Sequence, residues 1–188
     1  MFSSIQSYCN DLLKSTDQIS PERKSLLNKL AIYINAKIEN KLPVHLVFIC
    51  THNSRRSHFG QVWAHVAADY FGIDNIKSYS GGTEATSFNT NAIKALERIG
   101  FIIHTSDKKE NAVYELIYDD NKKPIQCFSK LFNDPVNPSE AFTAVMTCGD
   151  AEENCPFIPG AELRIATTYQ DPKAFDNSTL QDNAYDEC

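Results

Sequence analysis

The chain predicts an α/β fold: an open, mainly parallel four-stranded sheet with helices on both faces, an N-terminal helical extension and an inserted β-hairpin. Three observations lead there. From about residue 44 onward, short apolar runs alternate with stretches of helical period, as in strands joined through helices. Residues 1–42 read as helical and stand apart from the main domain. Residues 112–132 break the alternation with two strand-like runs around a polar loop.

In the extension, Ser20-Pro21-Glu22-Arg23 supplies an N-cap followed by proline at the first helical position. Leu26, Leu27, Leu30, Ile32, Ile34 and Ile38 then recur at helix-like spacings, so an antiparallel helix pair or arm is expected, ended by Pro43. Its apolar face packs either on its own domain or on a second subunit as a homodimer, and the sequence leaves both open. The main domain, residues 43–188, opens with a strand from about Val44 to Cys50. Phe59, Val62, Trp63, Val66, Ala67 and Tyr70 give a helix ending before Gly72, followed by a short strand from Ile76 to Ser80 and a Gly81-Gly82 turn. A second helix runs from about Asn91 to Ile99 and stops at Gly100, and Phe101-Ile102-Ile103 continues the alternation as a short apolar run. Residues 112–118 and 125–132 flank Asp119-Asp120-Asn121-Lys122-Lys123-Pro124 as a hairpin, which either flanks the site or is an edge without chemical duty. Residues 141–146 form a later, mostly apolar strand, and a last helix of about two turns begins near Ser178.

Composition narrows the function. With 188 residues, 42% hydrophobic and 22% charged, the chain can bury one good core, so one catalytic domain with an attachment is expected. A net charge of −6 argues against broad binding to nucleic acid or anionic membrane, although local arginines can still build a positive pocket. No apolar run approaches a membrane span and the opening residues lack a basic region followed by an apolar one, so a cytoplasmic protein is expected. The six cysteines, at 9, 50, 127, 148, 155 and 188, are too scattered for a secreted disulfide scaffold; in a reducing compartment such thiols are inert or catalytic.

The most informative stretch is Cys50-Thr51-His52-Asn53-Ser54-Arg55-Arg56-Ser57, a cysteine closing an apolar strand, five residues, an arginine and a serine, with a helix directly behind. Loop amides and the positive end of that helix converge on one point, where a tetrahedral oxyanion fits. A nucleophilic Cys50 must be a thiolate, which a helix N-terminus and nearby arginines favour. Arg56 can grip two oxygens at once through its planar fork, Ser57 can donate to the sulfur, and Asn53 can tie the loop together. The bland reading, a small core hydrophobe closing a strand, suits an isolated cysteine. The Cys-x5-Arg-Ser spacing favours the functional one. A second loop, Thr147 to Pro156, places Cys148 and Cys155 seven residues apart after a strand, on the same sheet rim as Cys50. Such a pair beside a nucleophilic thiol makes a relay. Coincidental buried thiols are the other reading, and no metal site is expected, because two sulfurs without a paired Cys or His set do not complete a zinc centre.

On these residues, with Tyr79-Ser80-Gly81-Gly82, the Asn91 helix, Thr105-Ser106-Asp107 and Asp171-Pro172, the chain resembles the low-molecular-weight protein tyrosine phosphatase superfamily, and within it the thioredoxin-coupled arsenate reductases. The resemblance runs from about Val44 to Pro172. Phosphatases share the first loop and Asp171-Pro172; the Cys-x6-Cys-Pro segment marks the reductases. The resemblance implies that Cys50 attacks the arsenic of arsenate while Asp171 protonates the departing oxygen. Cys148 would then attack Cys50 and release arsenite, and Cys155 would move the disulfide to the 148/155 pair for a thioredoxin-like protein to reduce. Thr51, His52, Asn53, Ser54, Arg55, Arg56 and Ser57 would hold the arsenate or phosphate. No cofactor is implied beyond the thiol reductant as co-substrate. For Asp171 the local alternative is a turn-forming Asp-Pro.

The chain departs from the resemblance at several positions. His52 replaces a glycine and would carry strain at a positive φ. Arg55 replaces a cysteine and faces either the thiolate or solvent. Gln61 stands where a glutamate is expected beside Asn53, Ser80 and Asp107, which match positions near a monovalent cation. The alternative function is a phosphatase acting on aryl phosphates through a cysteinyl phosphate, for which Tyr169 near Asp171 speaks. A non-catalytic oxyanion binder ranks last, since cysteine, arginine and aspartate are all present.

Overall fold

The computed structural model describes residues 1–105, 109–155 and 157–188. Four parallel strands form the central sheet in the order β2-β1-β6-β7: β1 is Val44–Cys50, β2 Ile76–Gly82, β6 Phe142–Met146 and β7 Ala161–Ala166. Strand β1 is central. Its apolar run, with Val44, Leu46, Val47 and Ile49 buried, is what a strand covered on both faces requires. Helix α3 (Arg56–Tyr70) packs on β1 and β2, and α4 (Thr90–Ile99) buries Ala92, Ile93, Ala95 and Leu96 in the same core. Asn89 caps α4 by accepting from the amides of Asn91 and Ala92, and Gly100 ends it in the left-handed region at φ 118°, where a side chain is disfavoured.

Several expectations change. Strand β2 runs through Gly81 and Gly82 instead of turning there, with Gly82 opposite Cys50, because those glycines let other backbone approach. The Phe101-Ile102-Ile103 run does not join the parallel sheet. As β3 (Ile102–His104) it pairs antiparallel with β4 (Tyr114–Ile117), which pairs with β5 (Ile125–Cys127), in a separate three-stranded sheet. The fourth parallel strand is β7, which the charged Glu162 and Arg164 disguise in sequence; one side of an edge strand is free to carry such residues.

Of the arrangements left open for the N-terminal helices, the structure has packing on their own domain, with α1 (Ser3–Lys14) and α2 (Pro21–Glu39) docked separately and not as an antiparallel pair. Helix α1 lies on α3 and α4. Its Ile5 and Cys9 are buried in the main core, Tyr8 stacks on Trp63 with ring centroids 5.1 Å apart, and the Met1 ammonium meets Asp119. Helix α2 lies against β1 and β7, where Tyr33 donates to Glu162 and Lys37 pairs with it at 2.6 Å. The short helices α5 (Gly149–Asn154) and α6 (Gln181–Asp186) complete the fold. Among the described residues no helix is long and apolar enough to cross a membrane.

Candidate active site

Cys50 ends β1 with 4% of its surface exposed, and the chain then turns sharply before α3. The left-handed residue of that turn is Asn53, at φ 45°, and not His52, so the glycine replaced by His52 leaves no strain of that kind. Outside amides hold the loop: Thr83 donates to the Cys50 carbonyl at 3.1 Å, Glu84 to Thr51 at 2.8 Å and Asn89 to Ser54 at 2.9 Å. Gly82 is required beside it, since a Cβ there would lie 2.6 Å from the Thr51 oxygen and 2.8 Å from the Asn53 nitrogen. The hairpin's exit segment supplies the other wall. Ser129 donates to the His52 carbonyl at 3.0 Å, and the Lys130 amide donates to Asn53 Oδ1 at 2.8 Å. With Oδ1 committed, Asn53 Nδ2 donates to Ser57 Oγ at 2.8 Å, which leaves the Ser57 proton free for Cys50 Sγ, 3.0 Å away.

The two arginines take different partners. Arg55 Nε donates to the Tyr185 hydroxyl at 2.7 Å and its Nη2 lies 3.5 Å from Asp176, so it ties the loop to the C-terminal segment and is turned neither to the sulfur nor to open solvent. Arg56 donates to the Tyr169 carbonyl at 2.8 Å and to Asp171 Oδ2 at 2.6 Å. The other Asp171 oxygen accepts from the Lys173 amide at 3.0 Å, capping the turn at Pro172–Phe175, so the local role coexists with the contact to Arg56. A cavity of about 400 Å³ opens beside Asp171, lined by Tyr169, Pro172, Phe175, Leu180 and Cys188. Burial pushes the Cys188 thiol up to about 11, and Cys127, fully enclosed, is pushed up to about 12 by burial, so both stay protonated at neutral pH.

The second cysteine loop follows β6, and the Thr147 amide donates to the Ile49 carbonyl at 2.7 Å, one residue before Cys50. Cys148 is 1% exposed, lies 3.4 Å from Thr51 Oγ1 and shares an apolar cluster with Cys50. It caps α5, accepting from the Ala151 amide, and Cys155 closes the other end, half-buried. All six cysteines are free thiols. Arg164 of β7 grips the far end of α5, donating to the Glu152 carbonyl at 2.6 Å, to Glu152 Oε1 at 2.9 Å and to the Cys155 carbonyl at 3.1 Å.

Of the residues that match a cation position, the described ones are engaged with protein partners. Gln61 is neutral and its Oε1 takes the Ser80 hydroxyl proton at 2.6 Å, while both polar atoms of Asn53 are engaged. The buried Lys130 side chain lies over the Phe128 ring at 4.5 Å, and burial lowers its pKa. Asp107, with Ser106, lies outside the described residues, as does Pro156. Next to this network His58 is fully buried between Ser80 and Phe88, and burial, then Lys130, lowers its pKa to about 3. Sequence reasoning missed Lys130, Arg164 and the strand role of Gly82; only the doubled glycine carried a signal.

No protein-family model matches the chain. The arsenate reductase of Bacillus subtilis (strain 168) is 33% identical over 135 residues, which cover 72% of this chain and 76% of that protein. The arsenate reductase of Staphylococcus aureus (strain Newman) is 30% identical over 130 residues, covering 68% and 77%. Among solved structures, a low molecular weight phosphotyrosine phosphatase from Vibrio cholerae shares the fold with a TM-score of 0.50 at 12% identity, over 77% of this chain and 86% of that one.

Proposed function

The chain belongs to the arsenate reductase family within the low-molecular-weight phosphatase superfamily, and from that membership we propose that it reduces arsenate to arsenite through Cys50, Cys148 and Cys155, with a thioredoxin-like protein as reductant. The observation that carries this reading is the meeting of two loops. Cys148 follows the strand that pairs with β1, one step past the residue bonded to Ile49, and its sulfur touches the Thr51 hydroxyl beside Cys50.

Arsenate enters the loop of residues 50–57 and takes the Arg56 fork from Asp171, whose carboxyl then protonates the departing oxygen as Cys50 Sγ bonds to arsenic. Ser57, its oxygen already serving Asn53, donates to the sulfur while it is an anion. Cys148 attacks Cys50 Sγ; the sulfur–arsenic bond breaks, its electron pair stays on arsenic, and arsenite leaves with a Cys50–Cys148 disulfide behind. Cys155 then attacks Cys148 Sγ, forming the 148/155 disulfide and expelling Cys50 as a thiolate. The two cysteines sit at opposite ends of α5, ~10 Å apart at about 1.5 Å per residue. A disulfide needs Cα atoms within about 7 Å, so α5 must open for this exchange. A six-residue helix is marginal on its own, which makes opening feasible. The half-buried Cys155 is then the sulfur that a protein reductant can reach.

The test is arsenate-dependent oxidation of thioredoxin by the intact protein, Cys148→Ser and Cys155→Ser, run beside aryl phosphate hydrolysis. Loss of reduction in both variants with hydrolysis unaffected supports the relay; undiminished reduction in both overturns it. The second reading, an aryl phosphate phosphatase using Cys50, Arg56 and Asp171, is favoured by the cavity beside Asp171, where Tyr169 and Phe175 present aromatic walls. Hydrolysis without any arsenate-dependent thiol oxidation would establish it instead.

A further inference from the structure

The proposed reaction uses nothing from the N-terminal helices, yet α2 reaches the loop that carries the acid. Arg23 lies in the first turn of α2, its amide donating to the capping Ser20 Oγ at 3.2 Å. Its side chain crosses to the strap between β7 and Asp171, where Nη2 donates to the Thr168 carbonyl at 2.6 Å and the guanidinium lies 4.7 Å from the centre of the Tyr169 ring. On the same strap Arg56 donates to the Tyr169 carbonyl at 2.8 Å, and the Tyr169 amide donates to Thr147 at 3.1 Å. Two consecutive carbonyls are thus held by two arginines from distant parts of the chain, just before the carboxylate that Arg56 also meets.

Arg23 stands where local preference is against it. A cation in the first turn opposes the helix dipole, and Arg23 Nη1 is buried without a partner. A residue that breaks local rules is most economically explained by what it does in the tertiary structure. We propose that Arg23 is a positioning residue for the general acid: by fixing Thr168 and Tyr169 from α2 it sets where Asp171 stands relative to Arg56 and the Cys50 loop. This rests on Asp171 acting as the acid of the proposed reaction.

The experiment uses the full chain as Arg23→Met, Arg23→Lys, Asp171→Asn and the Arg23→Met/Asp171→Asn double variant. Arg23→Met is expected to lower kcat for arsenate reduction about tenfold, since small misplacements of a catalytic group are costly, while KM stays within about twofold. Arg23→Lys, keeping a cation over Tyr169, recovers part of the loss, and in the Asp171→Asn background Arg23→Met costs nothing further. Hydrogen exchange of the Tyr169 amide is expected to be about tenfold faster in Arg23→Met. Unchanged exchange at Tyr169, or an equal loss of kcat in both backgrounds, overturns the proposal. If the wild-type protein reduces no arsenate, the proposed reaction fails; the kinetic comparison then moves to aryl phosphate hydrolysis, which needs the same acid, and the exchange measurement decides the clamp either way.

Discussion

At Cys50 the nearest polar partner is Ser57, and what that serine can offer is settled by Asn53, whose amide is itself oriented by the Lys130 backbone. The motif names the first two residues; the third lies over seventy positions away and no spacing points to it. Arg55 shows the same limit, because its direction depends on Tyr185 and Asp176, both supplied by the C-terminal segment. His58 has a measurable consequence. It stays neutral in the folded protein down to about pH 3, whereas an unfolded histidine takes a proton near 6.5. Below about 6.5 the unfolded chain therefore binds more protons, and stability drops as the pH is lowered, by up to about 1.4 kcal/mol per unit from this group, until about pH 3. Urea unfolding of the wild-type protein and His58→Phe between pH 4 and 7 should show the variant lacking this part of the slope. Parallel slopes would refute the assignment.

At the scale of elements, α5 is the moving part of the proposed relay, and two residues set its balance. Arg164 holds its C-terminal carbonyls, while Gly149, at its first position, has open space where a Cβ would go. Arg164→Met should speed formation of the 148/155 disulfide in a single turnover with arsenate and raise amide exchange at Cys155. Gly149→Ala, favoured in a helix by about 0.5–1 kcal/mol, should slow both. Both rates are read by quenched thiol mapping and hydrogen exchange; identical rates in the two variants would show that α5 opening does not limit the exchange. The hairpin is an element whose duty became visible only through its exit segment, where Ser129 and Lys130 brace the Cys50 loop. Strand β7 carries little strand signal in sequence because Glu162 and Arg164 answer partners on α2 and α5, and such charged residues resemble loop in one dimension.

For the whole molecule, the N-terminal segment is part of the folded core. Ile5 is fully buried among core residues from α3 and α4, so Ile5→Ala should cost about 3 kcal/mol in urea unfolding, within the usual range for a buried isoleucine. A cost near zero would mean that α1 is a loosely attached arm. Across the chain, the parallel architecture, the cysteine loop at the carboxyl end of the central strand and the second thiol pair were legible because each is written in local runs: apolar period, a strand-to-helix break and fixed spacing. The sequence by itself determined which candidate site groups the chain carries and on which sheet rim they lie. Only the tertiary structure decided how they are aimed, because Arg55, Arg56, Asn53 and Asp171 take their orientations from residues distant in the chain, and hydrogen-bond partners at long separation leave no periodic trace.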